Sequence, residues 1–216
     1  MRCVSVAGSL ENVINQMSQG DMAEIRMDLI DDLSLEDIAS IFSMPVNTLA
    51  TCRAGKLPEE KRKQYLFQAV MAGAHWVDLD VSTDMDFLEE MKELLRERHC
   101  KLILSYHDCE KTPSFDELRQ IQKKCAELEA DLVKIAVLAK NKKEVARVLG
   151  LYDSSYPTLA ISMGEIGQTT RFMALFLGAP FTFVAPDNGA KTAPGQIIVS
   201  EFTTRWEKMQ NGIKKA

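Results

Sequence analysis

Short apolar runs alternate with longer stretches of helical periodicity along the whole chain, in eight units of roughly 25 residues. When each strand is followed by a helix, successive strands run parallel, because the helix carries the chain back along the face of the sheet. Eight such units favour a closed barrel over an open sheet. We find no linker or low-complexity segment, so the sequence predicts an α/β protein with a single (β/α)8 TIM-barrel domain over residues 1–216.

Local signals place the element boundaries. Ser9 and Ser34 are typical helix N-caps, Pro58 is typical of a first helical turn, and Gly150 and Gly178 are typical of residues that end a helix. The predicted strands are residues 2–7, 23–28, 47–53, 76–81, 101–107, 130–137, 157–163 and 181–185. The predicted helices are residues 9–19, 34–43, 58–73, 84–98, 113–128, 142–149, 167–178 and 194–211.

Composition narrows the classes of function. The net charge of −5 argues against general nucleic-acid binding, which requires a basic surface. No apolar run approaches the ~20 residues of a membrane helix, and the N-terminus shows no signal-peptide pattern. The five cysteines are dispersed, with no Cys-x-x-Cys pair, which fits a reducing compartment. We therefore expect a cytoplasmic protein that binds neither nucleic acid nor membranes, in which each cysteine is a small buried hydrophobe.

Charged residues on the second predicted strand share one face. Glu24, Arg26 and Asp28 alternate with apolar residues that must face the helices, so the three charges point into the barrel. Burying charges is costly unless they are paired or used. Arg26 and Asp28 can pair with each other, so this strand alone fits an internal ion-pair network as well as a functional site.

Other strands send ionisable groups to the same end of the barrel, the C-terminal end, where catalytic groups of such barrels lie. Arg53 ends the third strand, Asp78 and Asp80 share a face of the fourth, and His107 ends the fifth. Lys134 lies on the sixth strand. Stability does not explain this convergence, because apolar side chains would fill the barrel without the free-energy cost of removing charges from water.

Lys134 is the single charge within the apolar strand at 130–137, on the same face as Leu132 and Ala136. Apolar surroundings disfavour an ammonium ion, and a neutral amine attacks a ketone to form an imine. His107 is a suitable base for the carbon that the imine acidifies, and Asp80 could orient the imidazole. The alternative is a lysine that reaches solvent at the strand end.

Neither a metal nor a cofactor is required by this chemistry. Asp78, Asp80 and His107 would permit a metal centre, but an imine makes one redundant.

The remaining polar groups indicate an anionic ligand. Arg26, Arg53 and Arg171 together with the lysine favour a ligand rich in acceptors. The turn at 164–167 could cradle a phosphate. Nevertheless, Arg171, Thr192 and Gln196 match a planar carboxylate better, and the polar loop at 185–196 suits a mobile cover over the barrel mouth.

Seven segments, in this order and spacing, resemble those of the type I 3-dehydroquinate dehydratases. These enzymes belong to the shikimate pathway of aromatic amino-acid biosynthesis. The segments are EIRMD (24–28), ATCR (50–53), VDLD (77–80), SYHD (105–108), VKIA (133–136), SMG (162–164) with Gly167 and Arg171, and APGQ (193–196).

The resemblance implies a mechanism and a set of roles. Lys134 would form a Schiff base with the C3 ketone of 3-dehydroquinate, and His107 would remove a C2 proton and then protonate the departing C1 hydroxyl, with net syn loss of water. Arg171, Thr192 and Gln196 would hold the carboxylate, Glu24, Arg26 and Arg53 the ring hydroxyls, and Met163 and Phe183 would line the ring.

The chain departs from the family at two of these positions. Where this chain has Asp80 the family usually has glutamate, so the contact with His107 is expected to be looser or to run through water. Thr192 replaces the usual serine and keeps the hydroxyl. The resemblance leaves open a homodimer and fusion to shikimate dehydrogenase in a longer protein. Two other functions remain open, a class I Schiff-base aldolase and a non-catalytic barrel that binds a carboxylate.

Overall fold

A computed structural model describes residues 1–213 of the chain, so the last three residues of the predicted domain lie outside the described residues. The strands are β1 Arg2–Gly8, β2 Met22–Ile30, β3 Thr48–Thr51, β4 Trp76–Asp80, β5 Lys101–Asp108, β6 Leu132–Leu138, β7 Thr158–Met163 and β8 Thr182–Val184. The helices are α1 Leu10–Gln16, α2 Leu35–Phe42, α3 Glu59–Met71, α4 Met85–Arg98, α5 Phe115–Glu127, α6 Lys142–Leu149, α7 Thr169–Phe176 and α8 Val199–Ile213.

The strands form one parallel sheet in the order β7-β6-β5-β4-β3-β2-β1-β8. Consecutive strands are neighbours from β1 to β7, and β8 pairs with β1, so that the series curves into a nearly closed barrel surrounded by the helices. The predicted (β/α)8 fold is therefore confirmed. Among residues 1–213, no helix combines the length and apolar character that crossing a bilayer requires.

Strand alternation separates two apolar layers. On β6, Val133, Ile135 and Val137 belong to the layer between sheet and helices, whereas Leu132 and Ala136 belong to a second cluster inside the barrel. The predicted faces of this strand are confirmed. Because Lys134 alternates with Ile135, its side chain enters the barrel interior.

The second cluster fills the part of the barrel below the charged groups. Met22, Leu49, Ile103, Leu159 and Phe181 are all buried there. Burying one such side chain contributes about 1.5–3 kcal/mol to the free energy of unfolding, so this cluster stabilises the barrel. The ionisable groups are left with the C-terminal half of the barrel.

The predicted caps are largely confirmed. The Ser9 side chain accepts a hydrogen bond from a backbone N–H of α1, and Ser34 forms a reciprocal capping box with Asp37. Gly178 follows α7 with φ of +98°, a left-handed conformation that suits glycine. Gly150 does end α6, but in a right-handed conformation that continues into a 3-10 turn.

The start of the last helix was predicted wrongly. Residues 194–198 are not helical, and α8 begins at Val199. The side-chain Oε1 of Gln196 accepts hydrogen bonds from the backbone N–H groups of Thr192 and Ala193, at 2.8 and 3.2 Å. These bonds form a loop across the barrel mouth, and a Pro-Gly-Gln signal cannot be distinguished from a helix start by local sequence alone.

The loops that follow β7 and β8 approach each other closely at this mouth. The N–H of Gly164 donates to the carbonyl of Pro194 at 3.4 Å, and a Cβ added at Gly195 would lie 2.4 Å from the Gly164 carbonyl oxygen. A Cβ at Gly167 would lie 2.3 Å from the carbonyl oxygen of Ser162 on β7. The turn at 164–167 is thus built for close backbone contact, and it fixes where α7 starts.

We predict that Gly167→Ala lowers the free energy of unfolding by about 1–3 kcal/mol, because the added methyl group overlaps backbone that cannot move freely. Gly212→Ala is the matched control. A Cβ at Gly212, within α8, meets no atom within 4 Å, and alanine favours a helix by up to about 1 kcal/mol. Urea unfolding of both variants measures the difference. Equal midpoints for the two variants would contradict this account of the turn.

Candidate active site

A cavity of about 230 Å³ opens at the C-terminal ends of the strands. Its walls include Lys134, His107 and every side chain that the sequence assigned to ligand binding. The predicted members are Glu24, Arg26, Arg53, His107, Lys134, Met163, Arg171, Phe183, Thr192 and Gln196, and the unpredicted ones are Cys109, Ala136, Ile161, Ala193 and Pro194. Asp80 is the one predicted site residue that does not line this cavity.

Lys134 lies in an ionic environment. Its Nζ is 2.8 Å from Asp78 Oδ2 and 3.6 Å from Glu24 Oε1, and it lies 4.1 Å from the centre of the Phe183 ring. The side chain is only 5% exposed. The expectation of purely apolar surroundings is therefore wrong, and so is the alternative of a lysine that reaches solvent.

Asp78 is the centre of this network. Its carboxylate accepts hydrogen bonds from Lys134, from Arg53 Nη2 at 2.9 Å and from Ser105 Oγ at 2.6 Å. Burial alone would raise the pKa of Asp78, but the charges of Arg53 and Lys134 outweigh burial and hold that pKa well below its ordinary value. One ionised carboxylate thus serves two cations.

Glu24 is the second interior carboxylate. It accepts hydrogen bonds from Ser5 Oγ at 2.6 Å and from Thr51 Oγ1 at 3.0 Å. Burial opposes its ionisation, yet the charges of Lys134 and Arg26 lower the pKa of Glu24 below its ordinary value. Each of its oxygens is fixed by a hydroxyl from a neighbouring strand, so its position is set by the barrel itself.

His107 presents a neutral imidazole to the cavity. Its Nε2 lies 3.2 Å from Arg53 Nη2, and a guanidinium can only donate, so Nε2 accepts and the ring proton lies on Nδ1. Burial, followed by the charge of Arg53, lowers the pKa of His107 to about 4. The ring is therefore uncharged near pH 7.

Asp80 stands on the other side of that imidazole. Its Oδ2 is 4.0 Å from His107 Nδ1, beyond hydrogen-bond distance, and its side chain is 40% exposed. Nδ1 is buried and has no hydrogen-bond partner among the described residues. Burial would raise the pKa of Asp80, but contacts with His107 and Ser82 lower it to about 2. The spacing agrees with the expectation that aspartate, shorter than glutamate, makes a looser contact.

Arg26 is already paired. Its Nε and Nη2 atoms donate to the two carboxylate oxygens of Asp28 at 3.0 and 2.7 Å. The ion-pair explanation that the sequence left open therefore applies to these two residues, although Arg26 also borders the cavity.

Arg171 is the exception among the cations. Its Nη1 and Nε donate to the carbonyls of Phe183 and Gly195 at 3.1 and 3.2 Å, while its buried Nη2 has no partner. No carboxylate among the described residues forms an ion pair with it. Burial lowers the pKa of Arg171 to about 10, so the group is still charged near pH 7. A buried cation with a free N–H donor is a site for an anion.

One of the four cations that border the cavity has no carboxylate partner. Arg26, Arg53 and Lys134 pair with the carboxylates Glu24, Asp28 and Asp78, whereas Arg171 pairs with none among the described residues. One unpaired cation suits a ligand with a single negative charge.

The loop after β8 closes one side of the cavity. Gln196 Nε2 donates to Ser5 Oγ at 3.3 Å and to Thr192 Oγ1 at 3.1 Å. Its amide therefore ties Thr192 and the loop to β1. Met163 and Phe183, both almost fully buried, supply apolar surface beside Arg171 and Lys134.

Several residues of the site were not predicted from the sequence. The sequence places Asp78 on the correct face and offers it only as a ligand of the alternative metal centre, because only the tertiary structure shows that Lys134 reaches it. The hydroxyls of Ser5, Thr51 and Ser105 carried no signal, since serine and threonine are common on strands. Cys109 is exposed at the cavity, so the expectation that every cysteine is buried is wrong for this residue.

The predicted alternative of a metal centre finds no geometric support within residues 1–213. No group of three or more His, Cys, Asp or Glu side chains there is arranged to hold a metal ion.

Known proteins match this chain along nearly its whole length. The family model described as type I 3-dehydroquinase matches residues 3–212. A 3-dehydroquinate dehydratase of Methanococcus maripaludis is 32% identical over 215 residues, covering 94% of this chain and 96% of the relative.

Solved structures share the fold. A 3-dehydroquinate dehydratase from Geobacillus kaustophilus superimposes with a TM-score of 0.85 at 21% identity, over 97% of this chain and 91% of that one. A longer S. pombe chain, described as dehydroquinate dehydratase and shikimate dehydrogenase, gives a TM-score of 0.74 at 21% identity, over 91% of this chain and 42% of that one.

The family match extends from β1 to α8, and the segments that carry the resemblance are those that converge on one cavity. The chain belongs to the type I 3-dehydroquinase family.

Proposed function

We propose that this protein catalyses the dehydration of 3-dehydroquinate to 3-dehydroshikimate through a Schiff base on Lys134. The observation that carries the proposal is that a buried lysine amine and a buried arginine without a carboxylate partner border the same cavity. The substrate offers a ketone to the first and a carboxylate to the second. The relatives named 3-dehydroquinate dehydratase support the same reaction.

The carboxylate of the substrate binds Arg171. The free Nη2 donor of a cation that pairs with no carboxylate fits one substrate carboxylate. Thr192 and Gln196 lie beside it on the loop after β8. With the carboxylate fixed there, the ring rests against Met163 and Phe183.

Asp78 stabilises positive charge on the Lys134 nitrogen throughout the reaction. The ammonium gives up a proton and the resulting amine attacks the C3 carbonyl to form a carbinolamine. The carbinolamine hydroxyl takes up a proton and leaves as water, which gives a protonated imine. That imine carries the same charge as the original ammonium, so the carboxylate 2.8 Å away in the free protein serves both forms. The protonated imine withdraws electrons and acidifies C2. The ion pair thus favours the cationic nitrogen, whereas apolar surroundings were expected to favour the neutral amine.

His107 is the proton carrier. Its Nε2 is unprotonated near pH 7 and can accept the C2 proton. A group with a pKa of about 4 is a weak base but a strong acid, which suits donation to the C1 hydroxyl as it departs. One imidazole acting on one face gives net syn loss of water. Asp80 is the positioning residue for this ring, and Glu24, Arg26 and Arg53 hold the ring hydroxyls.

The compartment, the domain organisation and the assembly of the protein are proposed from less direct observations. The free and dispersed cysteines support work in the cytoplasm. The S. pombe chain described as dehydroquinate dehydratase and shikimate dehydrogenase gives a precedent for fusion to shikimate dehydrogenase. The extent of the catalytic domain, residues 1–216, and assembly as a homodimer are also proposals.

We predict that Lys134→Ala lowers turnover of 3-dehydroquinate on the order of 10⁴-fold or more, as for other nucleophiles. Lys123→Ala, which alters a lysine that is 64% exposed on α5, is the matched control and should keep the rate. Turnover is followed by the ultraviolet absorbance of the conjugated product, which an aldolase substrate would not give. Borohydride should trap ligand on Lys134 in the native protein. Trapping on another lysine would contradict the assignment.

We predict that kcat/KM falls with acidification around pH 4, the pKa of His107, instead of near 6.5. A nearby carboxylate stabilises the imidazolium, so Asp80→Asn should move this limb to lower pH and Asp80→Glu to higher pH, each by about one unit. Circular dichroism at each pH separates titration from acid unfolding. The positioning role of Asp80 is wrong if neither variant changes the rate or the pH profile.

We predict that Arg171→Met raises KM for 3-dehydroquinate by roughly 10- to 100-fold, because hydrogen bonds to charged groups contribute about 1.5–3 kcal/mol. Arg205→Met, on the exposed surface of α8 where Arg205 pairs with Glu201, should leave KM unchanged. Arg171→Lys keeps the charge, so its KM should lie between those of Arg171→Met and the native protein. An unchanged KM in folded Arg171→Met protein would place the carboxylate elsewhere.

A further inference from the structure

Cys109 differs from the other cysteines of the chain. It follows β5 directly, two residues after His107, and it is exposed and borders the active-site cavity. Cys3, Cys52, Cys100 and Cys125 are buried. A reagent that attacks thiols in the folded protein therefore finds one accessible target, and that target lies at the mouth of the site.

A second observation indicates which reagents would reach it. Arg171, only 1% exposed, lines the same cavity as Cys109, and its buried Nη2 has no hydrogen-bond partner among the described residues. It is the cation of this cavity that pairs with no carboxylate. Such a fixed charge in a cleft raises the local concentration of oppositely charged molecules.

Negative charges outside the cavity oppose the approach of an anionic reagent to Cys109. Asp108 and Glu110 flank Cys109 in sequence, and Lys111 offsets one of them. These side chains are more exposed than Arg171, so water and salt screen them more strongly. The buried guanidinium should therefore dominate for a molecule that enters the cavity.

We propose that Cys109 is a site of reversible mixed-disulfide formation with small disulfides that carry a carboxylate. The Cys109 thiolate attacks one sulfur of the disulfide, a new S–S bond joins Cys109 to that half, and the other half leaves as a thiolate. The thiol proton goes to solvent. The small disulfide is the oxidant and is itself reduced, so no other reactant is needed.

Modification should block the site. The cavity holds about 230 Å³, and a carboxylated half-disulfide on its rim would occupy the space beside His107 with its carboxylate near Arg171. An added thiol would release it. This inference needs the cavity and its charge, and it does not depend on which reaction the cavity supports.

The test compares two aromatic disulfides on the native protein. Dithiobis(nitrobenzoate) carries a carboxylate on each arm, and dithiodipyridine is uncharged. We expect the ratio of their rate constants on Cys109 to exceed the ratio measured on the uncharged thiol mercaptoethanol by roughly tenfold or more. Added salt should reduce this preference. The absorbance of the released thiolate reports the reaction without any enzyme assay.

Variants locate the thiol and the charge. Cys109→Ser should lose the fast release of thiolate, and its own activity should not change when reagent is added. Arg171→Met should bring the ratio close to that of mercaptoethanol. If Arg171→Met does not fold, the salt dependence of the native protein tests the same charge.

Three results would overturn the proposal. They are an equal or lower preference for the carboxylated reagent on Cys109, fast release that persists in Cys109→Ser, and full activity after complete modification of Cys109. Loss of activity in step with thiolate release, and recovery with dithiothreitol, would support it.

Discussion

The 2.8 Å contact between Lys134 and Asp78 is the interaction on which the site depends. Both groups are buried, and removing an ion from water costs several kcal/mol even after relaxation. The network offsets this cost because the carboxylate of Asp78 accepts hydrogen bonds from Lys134, Arg53 and Ser105 together. Removing the carboxylate would leave Arg53 without a carboxylate partner and Lys134 with only Glu24, 3.6 Å away. Breaking a buried ion pair in this way costs about 3–5 kcal/mol. The barrel therefore holds the Lys134 nitrogen in an ion pair that would also stabilise the proposed protonated imine.

The position of Arg171 follows from how the barrel closes. Strands β7 and β8 are the ends of the hydrogen-bonded series, and no ladder joins them in the described part of the chain. At this seam the guanidinium donates to Phe183 of β8 and to Gly195 of the following loop. It satisfies one carbonyl of β8 and one of the loop, and its Nη2 donor has no partner. The proposed carboxylate site thus coincides with the seam at which the barrel strands are not paired.

The length of the carboxylate side chain beside His107 affects the pKa of its imidazole. Arg53 and burial lower the pKa of the imidazole, and Asp80 opposes them only weakly from 4.0 Å. A carboxylate one methylene longer could approach Nδ1 directly. Aspartate at this position therefore favours an imidazole that is a weak base and a strong proton donor. The protonated imine compensates by making C2 more acidic, so the low basicity of His107 is consistent with its proposed role.

The sequence alone determined the fold class and most of the cavity, because both depend on strand alternation and on the rule that the C-terminal ends of barrel strands meet. Those two regularities were enough to bring Glu24, Arg53, His107 and Lys134 together. The tertiary structure decided what alternation cannot express, namely which charges touch. It made Asp78 the partner of Lys134, left Arg171 without a carboxylate, and exposed Cys109 at the mouth. It also turned residues 194–198 into a loop, because the bonds that hold Gln196 come from β1 and the loop itself. These outcomes depend on distances between side chains on different strands, and no local pattern in the chain records those distances.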